Sequence, residues 1–233
     1  MARSRRQPKS RKDLKRRAAF RQERDRVLIV TEGSKTEPEY FRRLIQELGL
    51  TTAKVVIVGD GGSAPISVVE DAITRLKQDD DFEQIYCVFD RDRHASYEQA
   101  LQTLSGLAGR KSFKDKVVLA IPSVPCFELW YLLHVSASRK PYEAAATGGS
   151  PGQALLADLC KQNEFSDYEK SGCDTFFETI GPHRETAIQR AESFLKAAID
   201  EQAQEYFENP STRVHLVVRG LQEIAKQQVS EAS

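Results

Sequence analysis

Two acidic signatures each follow a short apolar run. Val27-Leu28-Ile29-Val30-Thr31 leads into Glu32-Gly33, and Ile85-Tyr86-Cys87-Val88-Phe89 leads into Asp90-Arg91-Asp92. Three carboxylates are hard oxygen ligands of the kind that Mg²⁺ or Mn²⁺ takes, and none of the His/Cys spacing that zinc prefers accompanies them. Alternate aspartates at a strand end point to one face, and like charges that close repel unless a cation sits between them. A second reading stays open, because Arg91 and Arg93 let Asp-Arg-Asp-Arg neutralise itself. The glycine after Glu32 permits a sharp turn or a close approach to phosphate, whereas the plainer alternative is a solvated acid before a helix. The chemistry indicated is metal-assisted attack on a phosphodiester, with Glu32, Asp90 and Asp92 as metal ligands.

Other candidates cluster near these three in sequence. Glu128 follows the fourth strand and is either a further ligand or water-orienting base, or an exposed helix residue beside core Phe127, Leu129, Trp130 and Leu132. Lys35 stands at a helix start suited to a phosphate, although Lys35 and Glu37 also read as an ordinary surface pair. Lys35, Arg91, Arg93, Arg16 and Arg17 are the nucleic-acid-binding candidates. His94, two residues after Asp92, is placed to donate a proton to a leaving oxygen. Asp60-Gly61-Gly62-Ser63 is a glycine-rich turn that lacks the Gly-Lys-Ser/Thr ending of an ATPase P-loop. His134, His183 and His215 are scattered and read as structural.

These residues need elements to hold them. Unbroken apolar runs belong to strands buried on both faces, as in parallel sheets covered by helices, where ligands bind beyond the carboxyl ends of the strands. The predicted order is strand one before Glu32, a helix opened by Glu37-Pro38-Glu39 and stopped at Gly49, and strand two at Lys54–Val58. A helix with Ile66, Val69, Ile73 and Leu76 on its apolar face follows, then strand three before Asp90, a helix over Ser96–Leu107 and strand four at Val117–Ile121. Beyond Pro125 the pattern reads as helix only. Helical segments are expected at Phe127–His134, Gln153–Cys160 and Arg184–Tyr206, with Ser136–Ser150 a polar excursion. Asn209-Pro210 reads as the cap of a last helix that buries Val214, Val217, Leu221 and Ile224. The expected fold is α/β, a mainly parallel sheet flanked by helices with a helical C-terminal extension. The expected divisions are a basic arm at 1–26, a core at 27–125, the extension at 126–226 and a tail at 227–233.

The formal net charge of the 233 residues is zero, which hides an asymmetry. Residues 1–26 hold 12 Lys/Arg against three acids, or +9, and the remainder is −9. A basic arm on an acidic body is what a phosphate-seeking tail looks like, and a solubilising tail is the alternative; helix is expected from Lys15 toward Arg24. No apolar stretch approaches the ~18 residues that cross a membrane, and no secretory signal is visible, so a cytoplasmic protein with no membrane partner is expected. Cys87, Cys126, Cys160 and Cys173 show no metal spacing and read as reduced thiols.

Four stretches together resemble a known family. Thr31-Glu32-Gly33-Ser34-Lys35-Thr36-Glu37-Pro38-Glu39-Tyr40-Phe41, Val88-Phe89-Asp90-Arg91-Asp92, Ser123-Val124-Pro125-Cys126-Phe127-Glu128-Leu129-Trp130 and Asn209-Pro210-Ser211-Thr212 are similar to the RloB family. Glu-Gly after strand one and Asp-x-Asp after strand three resemble the TOPRIM core of topoisomerases, primases and overcoming-lysogenization-defect nucleases. The resemblance implies a TOPRIM-like core, catalytic and metal-binding roles for Glu32, Asp90 and Asp92, and a setting in prokaryotic antiviral defence beside an AAA/ABC-type ATPase. Two functions are therefore expected of different classes. One is a Mg²⁺- or Mn²⁺-dependent nuclease with Glu32, Asp90, Asp92 and Glu128 as its acids. The other is a non-catalytic nucleic-acid-binding or assembly subunit of a partner ATPase. Oligomeric state is open at this level.

Overall fold

Strands form where the sequence runs apolar without alternation. Val27, Leu28, Ile29 and Val30 are all fully buried, as a strand with helices on both faces requires. The computed structural model describes residues 26–51, 55–59, 62, 64–92, 94–108, 110, 113–144, 146, 148–169 and 173–232. Along them the order is β1 (Arg26–Thr31), α1 (Thr36–Glu47), β2 (Val55–Val58), α2 (Pro65–Gln78), β3 (Phe82–Asp90), α3 (Tyr97–Ala108) and β4 (Val117–Val124). Then come α4 (Glu128–Val135), α5 (Pro151–Leu159), α6 (Cys173–Ile180), α7 (Arg184–Asp200), β5 (Ser211–Thr212) and α8 (Val214–Ala232). The predicted arm and its helix, with Arg16 and Arg17, lie outside the described residues, as do Lys54, Asp60, Gly61, Ser63 and Arg93.

The sheet is five-stranded, ordered β2-β1-β3-β4-β5. β1 is parallel to β2 and β3, β3 is parallel to β4, and only β5 is antiparallel. Chain order reverses direction between β1 and β3, which makes their carboxyl ends the topological switch point. The pleat divides the core in two. Val27 and Ile29 pack with Tyr40 and Phe41 of α1 and with Trp130, Phe194 and Val217 from the C-terminal half. Leu28 and Val30 pack with Val68 and Val69 of α2 and Leu104 of α3. The α/β class, mainly parallel sheet and C-terminal helices are as the sequence implies.

Three expectations are corrected. The region beyond Pro125 is not helix only, because β5 pairs with the end of β4, Ser123 against Thr212 and Val124 against Ser211. β4 therefore runs past Ile121 through Pro122, whose carbonyl accepts from the Arg213 N–H at 3.1 Å. Asn209 is not a helix cap. Its amide accepts from the Tyr142 N–H at 3.0 Å and donates to the Tyr142 carbonyl at 2.8 Å, so it ties down the polar excursion, and the helix starts only at Val214. α7 ends at Asp200, short of Tyr206. The last helix does bury Val214, Val217, Leu221 and Ile224. In α2, Val68 and Ala72 are buried where Ile66 and Ile73 are half-exposed.

Cys87, Cys126 and Cys160 are free thiols. Burial inside β3 pushes the Cys87 thiol up to about 12, so it packs as a small apolar group. Among the described residues no helix is long and apolar enough to cross a membrane.

Candidate functional site

Parallel strands deliver whatever follows them to one edge. Glu32 is the first residue past β1, and its backbone N–H extends the ladder to the Val88 carbonyl at 3.0 Å. The turn behind it is set by the Thr31 hydroxyl, which donates to the Gly33 carbonyl at 2.8 Å, with the Val58 carbonyl 3.2 Å away. Asp90 ends β3, and its N–H donates to Glu32 Oε2 at 3.0 Å. The other oxygen, Oε1, lies 3.0 Å from His94 Nε2. Glu32 is thus held through one oxygen by Asp90 of the second signature and through the other by His94, just beyond it.

These groups line a cleft of about 690 Å³ together with Lys35, Glu37, Asp92 and Glu128. Gly59 and Gly62 line it from the turn after β2, and Cys126 and Phe127 from the end of β4. Asp92 reaches the cleft differently from expectation. The strand stops at Asp90, and Asp92 has φ of 22°, so strand alternation does not extend to it. The turn is held by the Asp92 N–H donating to the Pro125 carbonyl at 3.0 Å.

Glu128 is not an exposed helix residue. It is 2 % exposed and accepts from the Tyr168 hydroxyl at 3.1 Å. Glu37 is 6 % exposed, so it is no surface partner of Lys35. Burial pushes its carboxyl up to about 7, with the negative charges of Glu128 and Glu32 adding to the effect. Burial and the Glu128 charge likewise raise the Tyr168 phenol above its ordinary value. Arg91 is absent from the cleft lining; its guanidinium lies over the Phe207 ring at 4.7 Å. His134 and His215 are buried, with ring nitrogens 2.8 Å from the Trp130 carbonyl and 3.2 Å from the Thr212 carbonyl. Burial pulls His134 down to about 4 and also lowers His215, so both read as packed, neutral rings.

Sequence reasoning did not find one further part of the cleft lining. It is the N-terminal turn of α5, where Ser150, Gly152 and Gln153 line the cleft. Ser150 and Gln153 form a reciprocal capping box, a Ser-x-x-Gln pattern legible beforehand as a helix start but not as part of a site. A Cβ on Gly152 would lie in ordinary contact with Cys126 Sγ at 3.5 Å and Asp92 Oδ2 at 3.7 Å, which places this turn beside Asp92.

The donor set suits a hard cation in its chemistry. Asp92 Oδ1 is buried without a hydrogen-bond partner, an acceptor that a cation would satisfy. The placement is less complete: among the described residues no group of three or more His, Cys, Asp or Glu side chains stands ready to hold a metal ion. Both Glu32 oxygens have a partner in the protein, the Asp90 N–H and His94 Nε2, and a carboxylate oxygen so held can still ligate a cation through its second lone pair.

Fold and site together define a doubly wound α/β protein with a carboxylate-lined cleft at its switch point. The model of the RloB-like protein family matches residues 27–221, and the chain belongs to that family. Searches of curated proteins and of solved structures returned no match.

Proposed function

We propose that the chain is a divalent-metal-dependent nuclease of TOPRIM type acting in antiviral defence. The observation that carries the reading is the meeting of Glu32, Glu37, Asp90, Asp92 and Glu128 in one cleft at the carboxyl ends of parallel strands. Such crowding is costly unless protons or cations offset it; Glu37 is raised chiefly by its burial, and the charges of Glu128 and Glu32 add to this. Glu32, Asp90 and Asp92 would hold Mg²⁺ or Mn²⁺, which when bound polarises a phosphate and supplies hydroxide for in-line attack. Lys35, exposed at the cleft, attracts the phosphodiester. Glu128, held by Tyr168, orients the incoming water, and His94 Nε2 carries the proton that the leaving oxygen needs. The basic arm gathers nucleic acid by counter-ion release.

One observation favours a second reading, in which the protein binds nucleic acid or a partner ATPase without cutting. It is that among the described residues no group of three or more His, Cys, Asp or Glu side chains stands ready to hold a metal ion. Cleavage assays on single-stranded DNA, duplex DNA and structured RNA, with Mg²⁺, Mn²⁺ or chelator, separate the two. Metal-dependent cleavage abolished in Asp90→Asn is the expected result. Equal cleavage by both proteins, or cation binding with no cleavage even beside the ATPase, would displace the nuclease reading.

A further inference from the structure

The acid-bearing turn at 90–92 is contacted by a distant segment, residues 206–213. The contact centres on Arg91, which stands between two of the proposed ligands. Its guanidinium lies 4.7 Å from the Phe207 ring centroid, and Nη1 donates to the Phe207 carbonyl at 3.3 Å. Its backbone N–H donates to the Ser123 carbonyl at 2.9 Å, and the Ser123 hydroxyl is 2.8 Å from the Thr212 hydroxyl. Residue 91 is thus tied to the C-terminal segment through both its side chain and its backbone.

The segment is itself stiffly held. The Tyr97 hydroxyl donates to the Tyr206 carbonyl at 2.6 Å, and the Tyr97 ring meets Phe89 and Phe207 edge-on at 5.8 and 5.5 Å. Arg213 forms a buried pair with Glu208 at 2.9 Å and lies 4.1 Å over the Tyr206 ring. Tyr206 has φ of 67°, a conformation that a tyrosine keeps only where its surroundings fix it. None of residues 205–213 lines the cleft. Phe207 reaches the turn that supplies Asp90 and Asp92, through Arg91, while Tyr206 and Thr212 hold the segment to Tyr97 and Ser123.

We propose that residues 206–213 form a clasp on the acidic turn, and that Arg91 and Phe207 are positioning residues holding Asp90 and Asp92 toward the cleft. A cation stacked on a ring and bonded to a carbonyl cannot swing away without dragging the backbone between the two acids. Arg91 is then a brace and not a phosphate contact. Only the kinetic consequence of the clasp rests on the nuclease reading; the mechanical one stands alone.

The test uses the full chain with Arg91→Gln, Phe207→Ala and the ring-preserving Phe207→Tyr. Amide hydrogen exchange is followed residue by residue by NMR. Arg91→Gln and Phe207→Ala should speed exchange of the Asp92 amide about tenfold while β1 and β2 amides are unchanged, and Phe207→Tyr should stay near wild type. Unchanged exchange at Asp92 in both disruptive variants would overturn the clasp, as would uniform acceleration across the sheet. In the cleavage assay the same two variants should lose kcat by on the order of 10–100-fold at constant KM. A raised KM with a salt slope reduced by about 1 and an unchanged kcat would make Arg91 a phosphate contact and sink the proposal. A wild type that cleaves nothing would defeat the nuclease reading, leaving the exchange result to decide the clasp.

Discussion

Glu37 is a buried carboxyl of the cleft, held well above the ordinary carboxylate range. Burial, then the charges of Glu128 and Glu32, raise its carboxyl from 4.5 to about 7. Between those two values the folded chain holds a proton that the unfolded chain has released. Its contribution to stability is therefore complete below about pH 4.5 and is lost as pH rises through 7. Glu37→Gln keeps the shape without the charge, so it should flatten this dependence. We expect the variant to match wild type at pH 4 and to exceed it by on the order of 2–3 kcal/mol at pH 8, measured by urea unfolding. Parallel pH profiles for the two proteins would assign the titration elsewhere. Glu32 answers to geometry instead. Glu32→Gln leaves an acceptor for the Asp90 N–H but removes the carboxylate charge beside His94 Nε2. Metal-dependent cleavage should fall at least about 10²-fold with little change in unfolding free energy. Retained activity would remove Glu32 from the proposed ligand set.

At the scale of elements, the glycines packed against the start of α1 leave no room for a Cβ. An added Cβ on Gly33 would collide with the Glu37 carboxylate, and one on Gly59 would collide with the Pro38 ring. Gly33→Ala should therefore displace the Glu37 carboxyl, seen as a loss of the pH dependence described above. The strands were legible because burial on both faces leaves unbroken apolar runs, and parallel strands all end at one edge, which is why Glu32 and Asp90 meet. β5 was not legible: two residues carry no period, and only β4 beside them makes Ser211 and Thr212 a strand. Asn209-Pro210 has the local signature of a helix start, but its amide is taken by Tyr142, 67 residues away. Tyr168 reaches Glu128 across 40 residues, and no spacing rule connects such a pair. Asn209→Ala should accordingly cost about 1–2 kcal/mol and raise proteolytic sensitivity within residues 136–150, with α8 unaffected. A stable, protease-resistant variant would show that the excursion is held by other contacts.

Across the whole molecule the charges are divided, and Arg26 marks where the division falls. It carries the arm's sign but the core's role, since its guanidinium pairs with Asp79 at 2.8 Å and lies 4.5 Å over Phe82. Residues 1–25 then hold 11 Lys/Arg against three acids, or +8, and the remainder is −8. An acidic body repels nucleic acid at long range, and the site itself is lined by carboxylates, so attraction has to come from elsewhere in the chain. Each phosphate neutralised on duplex DNA steepens the fall of log K against log salt by roughly 0.9. With half a dozen arm cations engaged, deleting residues 1–25 should reduce that slope by about 5 and weaken binding most at low salt. Cleavage at saturating substrate should persist, because none of the proposed ligands is removed. Deleting residues 1–26 instead should add a loss of stability, since Arg26 anchors the start of β1 beside β3. Fluorescence anisotropy on labelled duplex and single strands across a salt series measures the slope directly. A slope unchanged on deletion would mean that the arm does not touch nucleic acid and would turn attention to the arm as a docking element for a protein partner.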